Sequence, residues 1–222
     1  MNTLAGKRII IIDPRKIITE VEKNIFATWL ETWEDAIQND LKLGTELYSD
    51  EFTRQDEICA LYDFDRNKCI GMAFFRYVNF ECETSQKDSY FSEWPEEAQK
   101  KLIKKGSKIA VCSQFTVALA YRKERSPFKW KDVVMFSIVN HFIYNTMCDS
   151  MTGAVRINKS VNTASYSSGA TLLLPNVKNH IFNEYEDLVA FYRGDVISYF
   201  NQNKNSMFET LITNSFVQEK SA

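Results

Sequence analysis

"KIAVCSQFTVALAYRKERSPFKWKDVVMFSIVNHFIYNTM", residues 108–147, is the stretch whose reading decides the fold. Its first part, 108–121, is rich in small and β-branched apolar residues and predicts a long strand. Its last part, 129–147, packs Val133, Phe136, Val139, Ile143 and Tyr144 so densely that a helix there keeps little polar surface, which predicts a mostly buried helix. Between the two lie Arg122, Lys123, Arg125, Ser126 and Pro127, a basic polar turn.

Elements on either side extend this unit. Residues 7–12 predict a short apolar strand, and EVEKNIFATWLETWEDAI, 20–37, spaces Val21, Ile25, Trp29, Trp33 and Ile37 at intervals of four, an amphipathic helix. EICALYDFD (57–65) and CIGMAFFRYVNFE (69–81) are β-rich runs separated by Arg66, Asn67 and Lys68, which suits a hairpin. EWPEEAQKKLIKKG (93–106) is a polar, helical stretch. After the buried helix come a strand in MTGAVRI (151–157), a short helix in RINKSVNTASYSSGA (156–170), a strand in ATLLL (170–174), and a region over 176–222 that reads as largely helical. The fold class expected is α/β (α+β), a single domain with its core at about 7–175 and a helical C-terminal extension.

Composition excludes several classes. With 222 residues, 45% hydrophobic and 25% charged, the chain is neither disordered nor fibrous and can bury a large core. It contains no run of about 18 uncharged apolar residues, and the four isoleucines before Asp13 and Pro14 read as a buried strand rather than a signal peptide. Cys59, Cys69, Cys82, Cys112 and Cys148 are scattered without a CxxC pair, and there are two histidines, so reduced core thiols in a cytoplasmic protein are expected and no metal site. Cys112 lacks a sequence-positioned base and reads as packing, and His141 sits in an apolar helix, which favours a core role. The formal charge of −2 hides a basic segment: from 98 to 131 lie ten lysines and arginines against the single acid Glu124.

The order of elements, with two motifs, resembles the GNAT superfamily of N-acyltransferases over roughly 7–175. TVALAYRKERSPFKW (116–130) is similar to that family's strand, phosphate-binding turn and helix, although Arg125 and Pro127 stand where the turn usually has glycine and a glycine or alanine. In 156–170, Asn158 and Gly169–Ala170 match a second family pattern, with Tyr166 one position later than its usual tyrosine. VCSQFTVALAYRKER further resembles acyl-homoserine-lactone synthases and N-acyl amino acid synthases, keeping Ser113 but placing Val111 and Gln114 where those carry charge.

What the resemblance implies is acyl transfer from acyl-CoA or an acyl-phosphopantetheine to a small-molecule amine, with an acyl-carrier protein as an alternative source of the donor. The strand near Val117 and Leu119 would supply backbone groups to the pantetheine and the oxyanion. Arg122, Lys123, Arg125 and Ser126 would hold phosphate at the mouth of the following helix. Asn158 and Ser160 would contact the donor or, equally, cap their own helix, which Gly169 ends. Tyr166 would protonate the departing thiolate, or stand as a half-buried aromatic. Glu81 and Glu83, after the hairpin, are the carboxylates in line to act as base. The lysines at 100–108 are a solvated helix face or a docking patch. Aromatic residues in the first helix and hairpin favour a bulky acyl chain, or an aromatic core. No nucleic acid or membrane span is expected; a homodimer through the terminal segments fits this reading. Two alternatives stand beside it: a catalytically silent GNAT-like binding domain, and a purely structural module.

Overall fold

The computed structural model describes residues 4–42, 46–180 and 182–203. In chain order the elements are β1 (Lys7–Ile12), α1 (Glu20–Asp35), α2 (Asp50–Thr53), β2 (Glu57–Asp63), β3 (Lys68–Asn79), α3 (Glu83–Gln86), α4 (Glu96–Leu102), β4 (Lys108–Val117), α5 (Leu119–Arg122), α6 (Trp130–Asn145), β5 (Ser150–Arg156), α7 (Val161–Tyr166), β6 (Thr171–Asn179), β7 (Glu184–Tyr192) and α8 (Arg193–Gln202). Seven strands form one sheet in the order β1-β2-β3-β4-β5-β7-β6. β4 and β5 pair in parallel, while β1–β2, β2–β3, β5–β7 and β6–β7 are antiparallel. The sheet is therefore mixed and mainly antiparallel, within the α/β (α+β) class expected.

The chain divides into two compact units, the first containing residues 4–75 and 114–141. Its core joins α1 to the hairpin: Ile25 and Trp29 pack with Phe52, Ile58, Ala60, Tyr62, Met72 and Phe74. The helix starts on a capping box, in which Thr19 Oγ1 accepts from the Glu22 amide at 3.2 Å and Glu22 Oε2 accepts from the Thr19 amide at 2.7 Å. Gly71 in β3 is a packing necessity, since a Cβ there would come within 2.4 Å of the Thr116 carbonyl oxygen. His141, 1% exposed, takes the expected core place, with Nε2 3.1 Å from Glu57 Oε2 and its ring edge-on to Phe75.

The second unit contains Arg76–Ser113 and Phe142–Asn203. Phe80, Phe91, Trp94, Ala98 and Leu102 pack against Ile109, Val111, Leu173, Leu188 and Ala190. Arg193 donates to the carbonyls of Phe142, Ile143, Thr146 and Cys148, closing the end of the buried helix with a cation.

Three expectations change. The strand from Lys108 ends at Val117, and Leu119–Arg122 is a helical turn. Ser160 does not cap α7: its φ is 55° and its side chain accepts no first-turn amide. Residues 184–192 form β7 rather than helix, because Leu188–Tyr192 is a short apolar run buried throughout, which periodicity cannot distinguish from a buried helical segment. Helix begins only at Arg193, and the predicted segment MFETLITNSFV (207–217) lies outside the described residues.

Candidate functional site

β4 is central, yet Cys112–Phe115 in its middle are only partly buried while Ile109–Val111 and Thr116–Val117 are buried. Within it Gln114 adopts φ 52°, a left-handed conformation that costs a non-glycine residue roughly 1–2 kcal/mol. Trp29 Nε1 donates to Gln114 Oε1 at 3.4 Å, Thr116 Oγ1 to the Gln114 carbonyl at 2.7 Å, and Trp33 Nε1 to Thr116 Oγ1 at 2.9 Å. The parallel ladder of β4 with β5 has three pairs and stops at Val111↔Thr152, although β5 runs on to Arg156. The next amide of β5 that turns from its antiparallel partner, Ala154, donates to the Tyr90 hydroxyl at 3.1 Å.

The turn after β4 belongs to the first unit. The Ala118 amide donates to the Ile70 carbonyl at 2.9 Å, which places the amides of Val117 and Leu119 on either side of a fixed point. Arg122 folds back, Nε donating to the Val117 carbonyl at 2.9 Å. Lys123 and Arg125 are exposed, and Ser126 Oγ accepts from the Phe128 amide at 3.2 Å, closing the turn around Pro127. Glu124 is held by both terminal nitrogens of Arg66 at 2.9 Å, so the turn's one acid is neutralised. Arg66, Lys68, Tyr121 and Lys123 line a groove of about 650 Å³ here. Trp130, first residue of α6, keeps its Nε1 buried with no hydrogen-bond partner among the described residues.

The second unit holds the other expected residues. Tyr166, at the end of α7, donates its hydroxyl proton to Asp187 Oδ2 at 2.7 Å. Burial raises the phenol pKa, and the carboxylate beside it raises it further. Asp187 is 6% exposed and also accepts from Asn162 Nδ2 and the Asn176 amide, both at 3.1 Å. Burial works to raise its pKa, but these hydrogen bonds outweigh it and hold the carboxyl below its ordinary value. Gly169, φ 90°, ends α7 as expected, with the Ala170 amide returning to the Ser165 carbonyl. Asn158 donates to Glu184 Oε1 at 2.7 Å, the same carboxylate that Arg156 grips by two bonds. Glu81 is exposed and accepts from Ser107, and Glu83, 84% exposed on its side chain, pairs with Lys87.

The buried carboxylates are elsewhere. Glu186 is 7% exposed, and burial pushes its pKa up against a hydrogen bond from Asn179 at 3.0 Å. Glu186 and Asp187, together with Tyr90 and Trp130, are residues that sequence reasoning did not single out. The one available signal was the acid pair placed directly before the apolar run 188–192. The thiol of Cys112 is pushed up to about 12 by burial, consistent with packing rather than nucleophilic use. Among the five lysines of 100–108, Lys100 pairs with Glu96, Lys101 with Glu97 and Lys105 with Asp195, so three of the five are compensated.

This arrangement is a GNAT-like fold, an α/β class built on a mixed sheet. Similar solved structures include FeeM, an N-acyl amino acid synthase from uncultured soil microbes, with TM-score 0.55 and 14% identity over 88% of this chain and 97% of that one. BjaI, a CoA-dependent acyl-homoserine lactone synthase solved with SAM and isopentyl-CoA, gives 0.53 and 14% over 89% of each chain. LasI, an AHL synthase, gives 0.52 and 9% over 97% and 100%. No protein-family model matches the sequence, and no curated protein does.

Proposed function

We propose that this protein is an N-acyltransferase that moves an acyl group from a pantetheine thioester, carried on CoA or on an acyl-carrier protein, to a small-molecule amine by direct attack. The observation that carries this reading is the interruption of β4: a left-handed residue and four part-exposed positions in the middle of a central strand, beyond the last rung of its parallel ladder. A strand interior left open in this way offers backbone N–H and C=O groups to the amides of a pantetheine arm. The likeness of fold to N-acyl and acyl-homoserine-lactone synthases supports the same reading.

In the step proposed, the amine nitrogen attacks the thioester carbonyl carbon, the C–N bond forms, and the C–S bond breaks with its electron pair on sulfur. The amide of Val117 or Leu119 stabilises the oxyanion. Arg122, Lys123, Arg125 and Ser126, with Trp130 Nε1, which has no hydrogen-bond partner among the described residues, hold the donor phosphate. Tyr166 protonates the thiolate by turning its hydroxyl from Asp187 to sulfur, and Asn158 and Ser160 contact the pantetheine. The amine's proton goes to a carboxylate, so one proton moves in net from nitrogen to sulfur. Glu81 and Glu83 are the exposed candidates for the base, and Glu186, raised in pKa by burial and bonded to Asn179, is the buried one.

A second reading, a silent GNAT-like binding domain, is favoured by one observation: the Asp187 carboxylate makes Tyr166 a poorer acid. Titration calorimetry with acetyl-CoA and long-chain acyl-CoA, combined with thiol release in the presence of an amine panel, separates the two. Binding tighter than roughly 1 mM with amine-dependent thiol release is expected. Binding without release selects the silent domain; neither binding nor release, with acyl-CoA or acyl-carrier protein, refutes both.

A further inference from the structure

The left-handed residue of β4 is held from α1, within the first unit. Gln114 is not glycine, and a side chain at φ 52° is disfavoured against extended backbone by roughly five- to thirtyfold. Such a residue persists only where its surroundings fix it. Trp29 and Trp33 stand one turn apart on the same face of α1, about 6 Å along its axis, and Gln114 and Thr116 stand two residues apart, about 6–7 Å along β4, so the indoles meet the strand residues in register. Trp33 Nε1 donates to Thr116 Oγ1 at 2.9 Å, and that hydroxyl gives its single proton to the Gln114 carbonyl at 2.7 Å. The second bond fixes the peptide plane that follows Gln114. Trp29, whose side chain is fully buried, reaches the Gln114 side-chain oxygen with Nε1 at 3.4 Å. Thr116 itself is buried, and its carbonyl lies so close to Gly71 of β3 that a Cβ there would come within 2.4 Å.

We propose that Trp33 and Thr116 are positioning residues: their indole–hydroxyl relay holds Gln114 left-handed, and so keeps β4 interrupted before any donor arrives. The proposal rests on the N-acyltransfer reading, in which the interrupted strand offers its backbone groups to the pantetheine amides. Neither residue needs to touch the donor; each acts through the Gln114 carbonyl. A protein that binds only from its distorted fraction has an apparent dissociation constant equal to the intrinsic one divided by that fraction. With the relay intact the competent fraction is near one. Without it Gln114 returns to extended backbone, and the donor dissociation constant and KM rise by roughly five- to thirtyfold. Saturating donor restores the interrupted strand, so kcat is kept.

The test compares Thr116→Val, Thr116→Ser and Trp33→Phe with the wild type, by calorimetry with acyl-CoA and by KM and kcat for thiol release. Valine keeps the volume of threonine and loses the hydroxyl, while serine keeps the hydroxyl and loses a methyl group, so the pair separates a relay from packing. Thr116→Val and Trp33→Phe should raise the dissociation constant and KM roughly five- to thirtyfold with kcat within about twofold, and Thr116→Ser should stay within about threefold of wild type. Adding Gln114→Gly removes the need for the relay, because glycine takes a positive φ freely; in that background Thr116→Val should raise KM less than about threefold. The same cycle read by urea unfolding, which requires no donor, should show Thr116→Val costing less stability with Gln114→Gly than without it. Should Trp33→Phe fail to fold, as a thermal melt reports, the two Thr116 variants decide alone. A Thr116→Ser loss as large as that of Thr116→Val, a Thr116→Val loss equal in both backgrounds, or a fall in kcat with KM unchanged overturns the proposal. A wild type that binds no donor and releases no thiol overturns the N-acyltransfer reading instead, and the donor role of the relay falls with it.

Discussion

Replacing Asp187 by alanine removes one acceptor from three donors at once: the Tyr166 hydroxyl at 2.7 Å, Asn162 Nδ2 at 3.1 Å and the Asn176 amide at 3.1 Å. With the carboxylate 6% exposed, water replaces few of these bonds. At roughly 1–2 kcal/mol for each of the three bonds to a charged acceptor, Asp187→Ala should cost about 3–6 kcal/mol. That is a large part of a domain's usual stability of about 5–15 kcal/mol. Tyr166→Phe removes one donor and leaves two, so about 1–2 kcal/mol is expected. Asp187→Asn keeps an acceptor oxygen and loses the charge, again about 1–2 kcal/mol. Urea unfolding with m checked for constancy gives each value, and the Tyr166→Phe/Asp187→Asn cycle should show a coupling of about 1 kcal/mol. The pH dependence has a definite sign. Asp187 has a folded-state pKa below its ordinary value, so its contribution is full above the unfolded carboxyl pKa near 4 and disappears as pH falls through the lower folded value. The wild-type advantage over Asp187→Asn should therefore shrink below about pH 4. An Asp187→Ala cost within about 1 kcal/mol of Tyr166→Phe, or a wild-type advantage unchanged down to about pH 2, would refute the reasoning.

Further predictions concern the site's chemistry. Burial and, after it, the Asp187 carboxylate raise the Tyr166 pKa, so Asp187→Asn should lower it part of the way toward the ordinary value of about 10, read as tyrosinate absorbance in the difference titration against Tyr166→Phe; no change would leave burial as the cause. Glu186 has a raised folded pKa, so its ionisation opposes folding above about pH 4.3; Glu186→Gln should equal or exceed wild-type stability at pH 8 while thiol release falls roughly tenfold or more, and unchanged turnover would take it out of the proton path. Arg125→Glu should raise the donor KM roughly three- to tenfold at low salt, with the effect fading as salt is raised, and a salt-independent KM would place the phosphate elsewhere. Gly71→Ala, which sets a methyl 2.4 Å from the Thr116 carbonyl oxygen, should cost roughly 1–3 kcal/mol in urea unfolding; a neutral result would mean β3 can shift there.

Local pattern alone made much of the fold legible. The four-residue spacing from Val21 to Ile37 marked α1, the two β-rich runs around Arg66–Lys68 marked the β2–β3 hairpin, and the apolar density after Lys129 marked α6. These elements depend on neighbours three or four residues away, or across a short turn, so the chain carries their signal directly. The short helix α7 with its glycine stop at Gly169 was legible for the same reason. Tertiary structure alone decided the rest. Leu188–Tyr192 is a strand because β5 and β6 take its backbone groups on both edges, a choice its own five apolar residues cannot express. Ser160 gave up its capping role to a left-handed backbone, and Asn158 found Glu184 instead. Tyr166 meets Asp187 21 residues on, and Tyr90 meets Ala154 64 residues on. Whether a phenol is an acid or a strut depends on the carboxylate or amide opposite its oxygen, and that partner is brought there by sheet register, which no local stretch of the chain encodes.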